Sequence, residues 1–259
     1  MQPYKHYSAF KADHPAEGVL RLIIDTGRKN NGITHANHHE FGDVWRDIAR
    51  EPDTRAVVVQ GVQGIFCGGG DPTFLPPMFD DPQLRGKVHE DIRALVFNLL
   101  HCPIPVITAL EGVCTGGGLA IGLMADVAIA AEDAQIVDGH VMAGLACGDH
   151  AAYWPLMMGM PMAKYHLLTA RPISGLDARA AGLVALSVPA HALHTTALET
   201  AVHIAKMPAD AVRLTKRSLN SWYQLGHGAF EMSAAYETMG FAGDGVREFA
   251  ARALAKGGS

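Results

Sequence analysis

Short apolar runs recur along the first half of the chain and predict a series of buried strands. These runs lie at 18–25, 55–61, 106–110 and 127–131. Each is shorter than a typical helix and consists largely of Val, Ile, Leu and Ala, which favours a strand covered on both faces. The chain is therefore expected to be organised around buried strands.

Helical spacing of apolar residues fills the intervals between the predicted strands. One helix is expected after Asn37, which can cap it with Glu40 as the capping-box partner. Another is expected to end at Cys102, because Pro103 follows. The segment 74–87 between these two helices is rich in proline and carries mixed charge. We predict an irregular, mobile loop there.

Only helical patterns follow the last predicted strand. They lie at 165–170, 175–182, 191–206, 209–225 and 229–256. Strands that alternate with helices, followed by helices alone, indicate an α/β architecture with a helical tail. We therefore divide the chain into an α/β core over 1–190 and a helical region over 191–259.

Composition and charge exclude several function classes. Of the 259 residues, 49% are hydrophobic and 18% are charged, and the formal net charge is −5. No basic run exceeds two residues, which argues against a nucleic-acid partner. The longest apolar window, 112–125, is too short to span a membrane. The four cysteines show no CxxC spacing and no signal segment opens the chain, so we expect a cytoplasmic protein without a metal site.

Two glycine-rich turns each follow a predicted strand. They are 66–72 (FCGGGDP) and 111–118 (EGVCTGGG), and the second leads into an apolar helix. Glycine leaves backbone amides open to a ligand, and the first turn of a helix adds unpaired N–H groups and the positive end of the helix dipole. Two such turns aimed at one point would hold an oxyanion formed from a carbonyl substrate. The alternative is that they are only tight turns or close helix–strand contacts.

These turns and two later segments resemble motifs of the crotonase superfamily, which contains enoyl-CoA hydratases and isomerases. The first turn is similar to the family's F-[AS]-x-G-x-D turn and the second to its N-G-x-x-x-G-G-G run. The segments 168–174 (LTARPIS) and 178–184 (ARAAGLV) resemble its LTGRxIS and A-x-x-x-GLV segments. The resemblance covers most of the chain.

The resemblance implies a fold, an assembly and part of a site. The fold would be a crotonase-like α/β spiral of strand–strand–helix units, with a C-terminal helical region used for trimerisation. The assembly would be a homotrimer or a hexamer built as a dimer of trimers. The substrate would be a small molecule, and a CoA thioester is one possibility. No cofactor would be required. The oxyanion amides would be those of Gly70 and Gly117.

The sequence departs from the family at the two positions where hydratases carry catalytic glutamates. By alignment these positions hold Ala120 and His140. Alanine cannot move a proton, so the usual two-carboxylate addition of water to an enoyl-CoA is in doubt. His140 paired with Asp149 is a candidate base, because a carboxylate fixes the histidine tautomer and supports the cation that forms.

Two further residues complete the set of catalytic candidates. His38 lies at a predicted helix start, where the dipole disfavours the imidazolium and keeps a base neutral. Glu237 lies on the last predicted helix. The set is similar to that of the β-diketone hydrolases typified by oxocamphor hydrolase, which cut a carbon–carbon bond without CoA, and the same resemblance makes Trp154 a substrate-binding candidate. That branch carries another histidine within the glycine run, and 116–118 has none.

Each candidate also has a purely structural interpretation. Asp149 can cap the helix that follows it. The histidines and Glu237 can be ordinary core or surface residues. Arg28 and Lys29 are candidates for binding a CoA phosphate, and the alternative is a solvated basic loop.

Three functions therefore remain open. The first is an acyl-CoA enzyme of the hydratase/isomerase type, a lyase or isomerase, with His140 or Asp149 in place of the glutamates; it is favoured because acyl-CoA users dominate the superfamily. The second is a CoA-independent hydrolase that cleaves a cyclic β-diketone by a retro-Claisen reaction with the His140–Asp149 pair. The third is a catalytically weak binding or assembly subunit.

Overall fold

The structure, a computed structural model, describes residues 4–257. Its strands in chain order are β1 (Phe10–Ala16), β2 (Val19–Ile24), β3 (Ala56–Gln60), β4 (Cys67–Gly68), β5 (Val106–Leu110), β6 (Val113–Thr115), β7 (Val127–Ala131), β8 (Gln135–Ile136), β9 (Ile173–Ser174) and β10 (Leu186–Val188). Its α-helices are α1 (Glu40–Ile48), α2 (Pro82–His101), α3 (Gly116–Met124), α4 (Gly148–Met158), α5 (Met160–Thr169), α6 (Gly175–Ala181), α7 (Leu193–Ala205), α8 (Ala209–Asn220), α9 (His227–Gly240) and α10 (Asp244–Gly257).

The strands form two sheets, and from β3 to β8 successive strands along the chain alternate between them in a spiral. The larger sheet has the order β1–β2–β3–β5–β7–β10 and the smaller one β4–β6–β8–β9. The larger sheet is parallel from β2 to β10, and β1 is antiparallel to β2. Strands β3, β5 and β7 are each followed by a short strand of the smaller sheet and then by a helix. This repetition confirms the expected spiral of strand–strand–helix units.

The apolar runs of the sequence supply the core. The four predicted strands correspond to β2, β3, β5 and β7, each within one residue at either end. All of β5 is buried, as expected for a central parallel strand. Helix α1 adds Phe41, Trp45 and Ile48, which are fully buried. Among residues 4–257, no helix has both the length and the apolar character needed to cross a membrane.

The start of α1 differs from the prediction. The helix begins at Glu40 rather than directly after a cap at Asn37. The Asn37 side chain instead accepts a hydrogen bond from the Thr34 amide at 2.8 Å. The buried Glu40 carboxylate accepts from the Ser8 hydroxyl at 2.7 Å and the Ala9 amide at 2.8 Å. The carboxylate that a capping box requires is therefore used to hold the N-terminal segment.

The proline-rich segment 74–87 is partly helical, so the prediction of an irregular loop throughout is wrong. A 3-10 turn covers Pro76–Met78, and α2 begins at Pro82. Proline fits the first turn of a helix because the amide that it lacks has no partner there. The Asp81 carboxylate accepts from the Leu84 amide at 2.9 Å and caps the helix.

The helical tail is present but divided differently from the prediction. The predicted helix at 209–225 ends as α8 at Asn220 and continues as a 3-10 helix over Ser221–Gly226. The predicted helix at 229–256 is two helices, α9 and α10, with a break at 241–243. This break allows α10 to contribute side chains to the cavity described below.

Candidate active site

The two glycine turns meet at the ends of β4 and β6. Strands β4 and β6 pair in parallel, with Gly68 beside Thr115, so the residues that follow them are neighbours. Gly69 and Gly116 have φ values of 76° and 57°, which residues with a Cβ rarely adopt. A Cβ on Gly116 would lie 3.0 Å from the Gly69 Cα. The backbones of the two turns therefore pack directly against each other.

Each turn leaves an amide available at a shared cavity. Ile33 N donates to Gly69 O and Asp71 N donates to Ile33 O, both at 2.7 Å, and Gly70 N between them has no acceptor among the described residues. Gly117 lies in the first turn of α3, where amides have no carbonyl partner within the helix. Both glycines line the cavity. The arrangement can present two N–H donors to a bound oxygen.

The next glycine, Gly118, is packed too tightly for a side chain. A Cβ at this position would overlap the Cβ and Sγ of the buried Cys67. We expect Gly118→Ala to lower the free energy of unfolding by about 3 kcal/mol, because β4 and α3 cannot separate without pulling the glycine turns apart.

Urea denaturation followed by circular dichroism would measure this loss. Gly86→Ala is the matched control, because Gly86 is exposed on α2 and an added Cβ meets nothing within 4 Å. Alanine should stabilise that position by up to about 1 kcal/mol. Equal losses in the two variants would contradict the packing argument.

The cavity beside the glycine turns has a volume of about 410 Å³. Residues singled out from the sequence that line it are Lys29, His38, Gly70, Gly117, His140 and Glu237. Much of the remaining wall is apolar: Phe74, Leu75, Met78, Val88, Ile92, Leu145, Phe241, Phe249, Ala250 and Ala253. Three of the four catalytic candidates therefore share one cavity with both oxyanion candidates.

His140 lies between two carboxylates. Its backbone amide donates to Asp138 Oδ1 at 2.9 Å, and its Nδ1 lies 3.1 Å from the same oxygen. This is the local turn that an aspartate forms with the residue two positions later, and it fixes the ring. On the other side, Nε2 is 3.6 Å from Glu237 Oε1 on α9. Both ring nitrogens therefore face a carboxylate.

The carboxylates determine the charge of His140. Burial alone would lower the pKa of His140, but the charges of Asp138 and Glu237 raise it to about 10. Burial alone would raise the pKa of Asp138, but His140 and His150 hold it down at about 2. Burial raises the pKa of Glu237; His140 opposes this effect, and Asp149 and Asp138 add to it. Near neutral pH His140 is a cation, and Glu237 is a stronger base than an ordinary carboxylate.

The expected pairing of Asp149 with His140 is wrong. Asp149 is buried in the first turn of α4, and its Oδ1 lies 3.3 Å from His150 Nε2. His150 Nδ1 lies 3.5 Å from Asp138 Oδ2. The partner of His140 Nδ1 is Asp138, which reaches the ring through the local turn. Asp149 contacts His150 and is not part of the cavity lining that the structure describes.

Two of the three substrate-binding candidates are absent from the cavity lining that the structure describes. Trp154 is 2% exposed and packs on His150, with the ring centroids 5.7 Å apart. Arg28 Nε lies 3.8 Å from Oδ2 of Asp71, a lining residue of the first glycine turn. Only Lys29 lines the cavity.

His38 lines the cavity with a carboxylate partner of its own. It lies in the turn before α1, is buried, and has its Nδ1 3.1 Å from Asp91 Oδ2 on α2. Its ring packs against Phe74, which stacks on His35 with the centroids 4.3 Å apart. The structure therefore gives His38 a carboxylate partner, Asp91, that the sequence did not indicate.

The cysteines and the arrangement of possible metal ligands complete the description of the ionisable groups. Within residues 4–257, no group of three or more His, Cys, Asp or Glu is arranged to hold a metal ion. The four cysteines are free and buried. Burial raises the pKa of the Cys147 thiol to about 12, which disfavours the thiolate that a nucleophile requires.

Comparison with known proteins decides the family. The model of the enoyl-CoA hydratase/isomerase family matches residues 15–237. The chain belongs to this family. Its spiral fold and glycine turns are those expected of the crotonase superfamily.

Relatives of this family member differ in the reactions that their names describe. The chain is 28% identical over 216 residues to 1,2-epoxyphenylacetyl-CoA isomerase from Escherichia coli, which covers 82% of each protein. An enoyl-CoA hydratase/isomerase structure from Mycobacterium paratuberculosis matches with a TM-score of 0.88 at 26% identity, over 95% of this chain and 98% of that one. A β-diketone hydrolase from the cyanobacterium Anabaena, bound to (S)-3-oxocyclohexyl acetic acid, matches with a TM-score of 0.85 at 25% identity, over 92% and 96%.

Sequence reasoning did not identify three parts of the site of this enoyl-CoA hydratase/isomerase family member. Asp138 has a local signal, since an aspartate two residues before a histidine is the spacing of an Asx turn. Asp91 and the side chains of α10 that line the cavity have no such local signal, because they reach the cavity from distant parts of the chain.

Ala120, which stands at one of the two positions where hydratases carry a glutamate, is buried on α3.

Proposed function

We propose that this family member hydrolyses a carbon–carbon bond of a cyclic β-diketone. The observation that supports the proposal is the position of His140 between Asp138 and Glu237, on the cavity that also contains the amides of Gly70 and Gly117. A cationic histidine beside a carboxylate with a raised pKa gives an acid and a base at one point. Such a pair suits addition of water to one carbonyl and departure of the other as an enolate.

In the first step, Glu237 takes a proton from a water molecule in the cavity. The water oxygen forms a bond to one carbonyl carbon, and the electron pair of the C=O bond moves onto the carbonyl oxygen. The amides of Gly70 and Gly117 donate hydrogen bonds to this oxyanion. A donor of this kind contributes about 3 kcal/mol of transition-state stabilisation.

In the second step, the tetrahedral intermediate re-forms its carbonyl as the bond to the α-carbon breaks. The electron pair of that bond becomes the enolate of the second carbonyl. The His140 imidazolium donates a hydrogen bond to the enolate oxygen, and protonated Glu237 returns its proton to the α-carbon. One water has then been added, and the product is a keto acid.

The lining of the cavity supports an uncharged cyclic substrate. Phe74, Met78 and Phe249 belong to its apolar wall, whereas Lys29 is the one lysine or arginine in the lining that the structure describes. Mostly apolar walls with a few polar groups at one end are typical of sites for small organic molecules. Similarity to the β-diketone hydrolase from Anabaena agrees with this substrate class.

A second candidate function is isomerisation or hydration of an acyl-CoA thioester. Lys29 on the cavity lining favours it, because a lysine can bind a phosphate of CoA. The similar protein from Escherichia coli is named as an acyl-CoA isomerase. In this reaction the two amides would hold the thioester enolate, and Glu237 would move the proton.

The experiment supplies cyclic 1,3-diketones in 18O-labelled water and follows acid release with a pH-stat and mass spectrometry. Hydrolysis should place one 18O atom in the new carboxylate. Release should disappear in His140→Asn and remain unchanged in His191→Asn, which replaces an exposed histidine of the 3-10 helix Ala190–Ala192.

Calorimetric titration with acetyl-CoA completes the test. Thioester binding together with no acid release from any diketone would reject hydrolysis in favour of the acyl-CoA reaction. If neither ligand class binds or reacts, both catalytic proposals fail and a catalytically weak binding or assembly subunit is left.

A further inference from the structure

A buried histidine of α4 lies directly behind the Asp138–His140 pair. His150 is 3% exposed, and its ring centroid is 5.9 Å from that of His140. Its Nδ1 lies 3.5 Å from Asp138 Oδ2 and its Nε2 lies 3.3 Å from Asp149 Oδ1. Neither nitrogen makes a hydrogen bond of good geometry within the described residues. The contact with both carboxylates is therefore mainly electrostatic.

Only an imidazolium meets both carboxylates favourably. A neutral imidazole has one N–H donor and one lone pair. In either tautomer, that lone pair would face a carboxylate oxygen at 3.3 or 3.5 Å. A lone pair at that distance is repelled by the electron-rich carboxylate oxygen. A ring protonated on both nitrogens gives Asp149 its donor and gives Asp138 a second one besides His140.

We propose that His150 is a positioning residue that, as an imidazolium, joins Asp138 to Asp149 behind His140. It is absent from the described lining of the cavity, so it acts through other groups. One route is Asp138, which holds the His140 ring. The other is the positive charge that it places near Glu237. The kinetic part of this inference rests on the proposed function, in which Glu237 is the base.

The charges around His150 set the direction of its effect. The ionisable groups that face it are Cys147 and Asp149 near the start of α4, Asp138 and His140 before it, and Glu237 from α9. Burial raises the pKa of Glu237, His140 and His150 lower it, and Asp149 and Asp138 raise it. Loss of the His150 cation should raise the pKa of Glu237 further, and loss of the Asp149 anion should lower it.

The sign of the kinetic effect follows because Glu237 must be ionised to act as a base. Activity is lost as pH falls through the pKa of Glu237. In His150→Gln the acid limb of kcat/KM should move up by about one pH unit, so that activity on the acid side of that limb falls about tenfold relative to the plateau. In Asp149→Asn the acid limb should move down. A purely structural role would lower activity equally at every pH and would not give opposite shifts, so parallel losses would overturn the proposal.

A second measurement needs no substrate. Nuclear magnetic resonance of the full protein labelled with 15N-histidine reports the protonation of each ring nitrogen, and the His150 signals are assigned by their loss in His150→Gln. Two protonated ring nitrogens at pH 7 support the proposal. One unprotonated nitrogen overturns it. If no diketone is hydrolysed, the proposed function fails while this spectrum still decides the role of His150.

Discussion

Glu237→Gln is expected to lower kcat for diketone hydrolysis by about 10³-fold while KM changes by less than about threefold. Glutamine has nearly the same shape as glutamate, so the position of the side chain beside His140 is kept. It cannot accept the proton of the attacking water or return it to the α-carbon. The effect should therefore appear in the chemical step and not in binding. Steady-state kinetics with single-turnover experiments would separate the two.

Glu248→Gln is the matched control for this variant. Glu248 lies on α10, its side chain is 70% exposed, and its ion pair is with Arg252 on the same helix. Its removal should leave kcat unchanged. If Glu237→Gln retains most of the activity, Glu237 is not the base, and the role would pass to another group on the cavity, of which His38 with its Asp91 partner is the next to test.

The apolar runs of the sequence were sufficient to predict the central strands of the larger sheet. The run at 106–110 is buried at every position, as expected for a strand covered on both faces. β1 was not predicted, because it is an edge strand with exposed Lys11 and Asp13. The strands of the smaller sheet contain two or three residues each, too few for any alternation to be visible.

The same difference between local and long-range features explains which parts of the candidate site could be predicted from the sequence. Glycine runs after two strands indicated open amides, because the reason for glycine is local. The partners of the ionisable groups were harder, since they depend on where separate elements meet. Asp149 is closer to His140 in sequence than Glu237 is, yet Glu237 reaches the ring from α9 and Asp149 faces His150. The sequence therefore predicted which ionisable residues lie in the same region, but it did not predict which of them are in contact.

Gly117→Pro is expected to lower kcat by about 10²- to 10³-fold, because it removes one of the two proposed oxyanion donors. Gly117 is the second residue of α3, a position in the first turn where proline is compatible with a helix. The preceding residue is Gly116, whose φ of 57° already requires glycine. The free energy of unfolding should therefore change by less than about 1 kcal/mol, measured in urea.

Gly117→Ala separates loss of the amide from added bulk at the same position. An alanine Cβ would lie 3.3 Å from the end of the Ile33 side chain, which can shift, and the N–H donor is kept. Its kcat should stay within about threefold of the wild type, since the oxyanion would still accept two hydrogen bonds. Equal losses in the alanine and proline variants would mean that space at the turn controls the rate, and the proposed role of the Gly117 amide would be wrong. A loss confined to the proline variant would tie the reaction to that N–H, whichever carbonyl substrate the cavity binds.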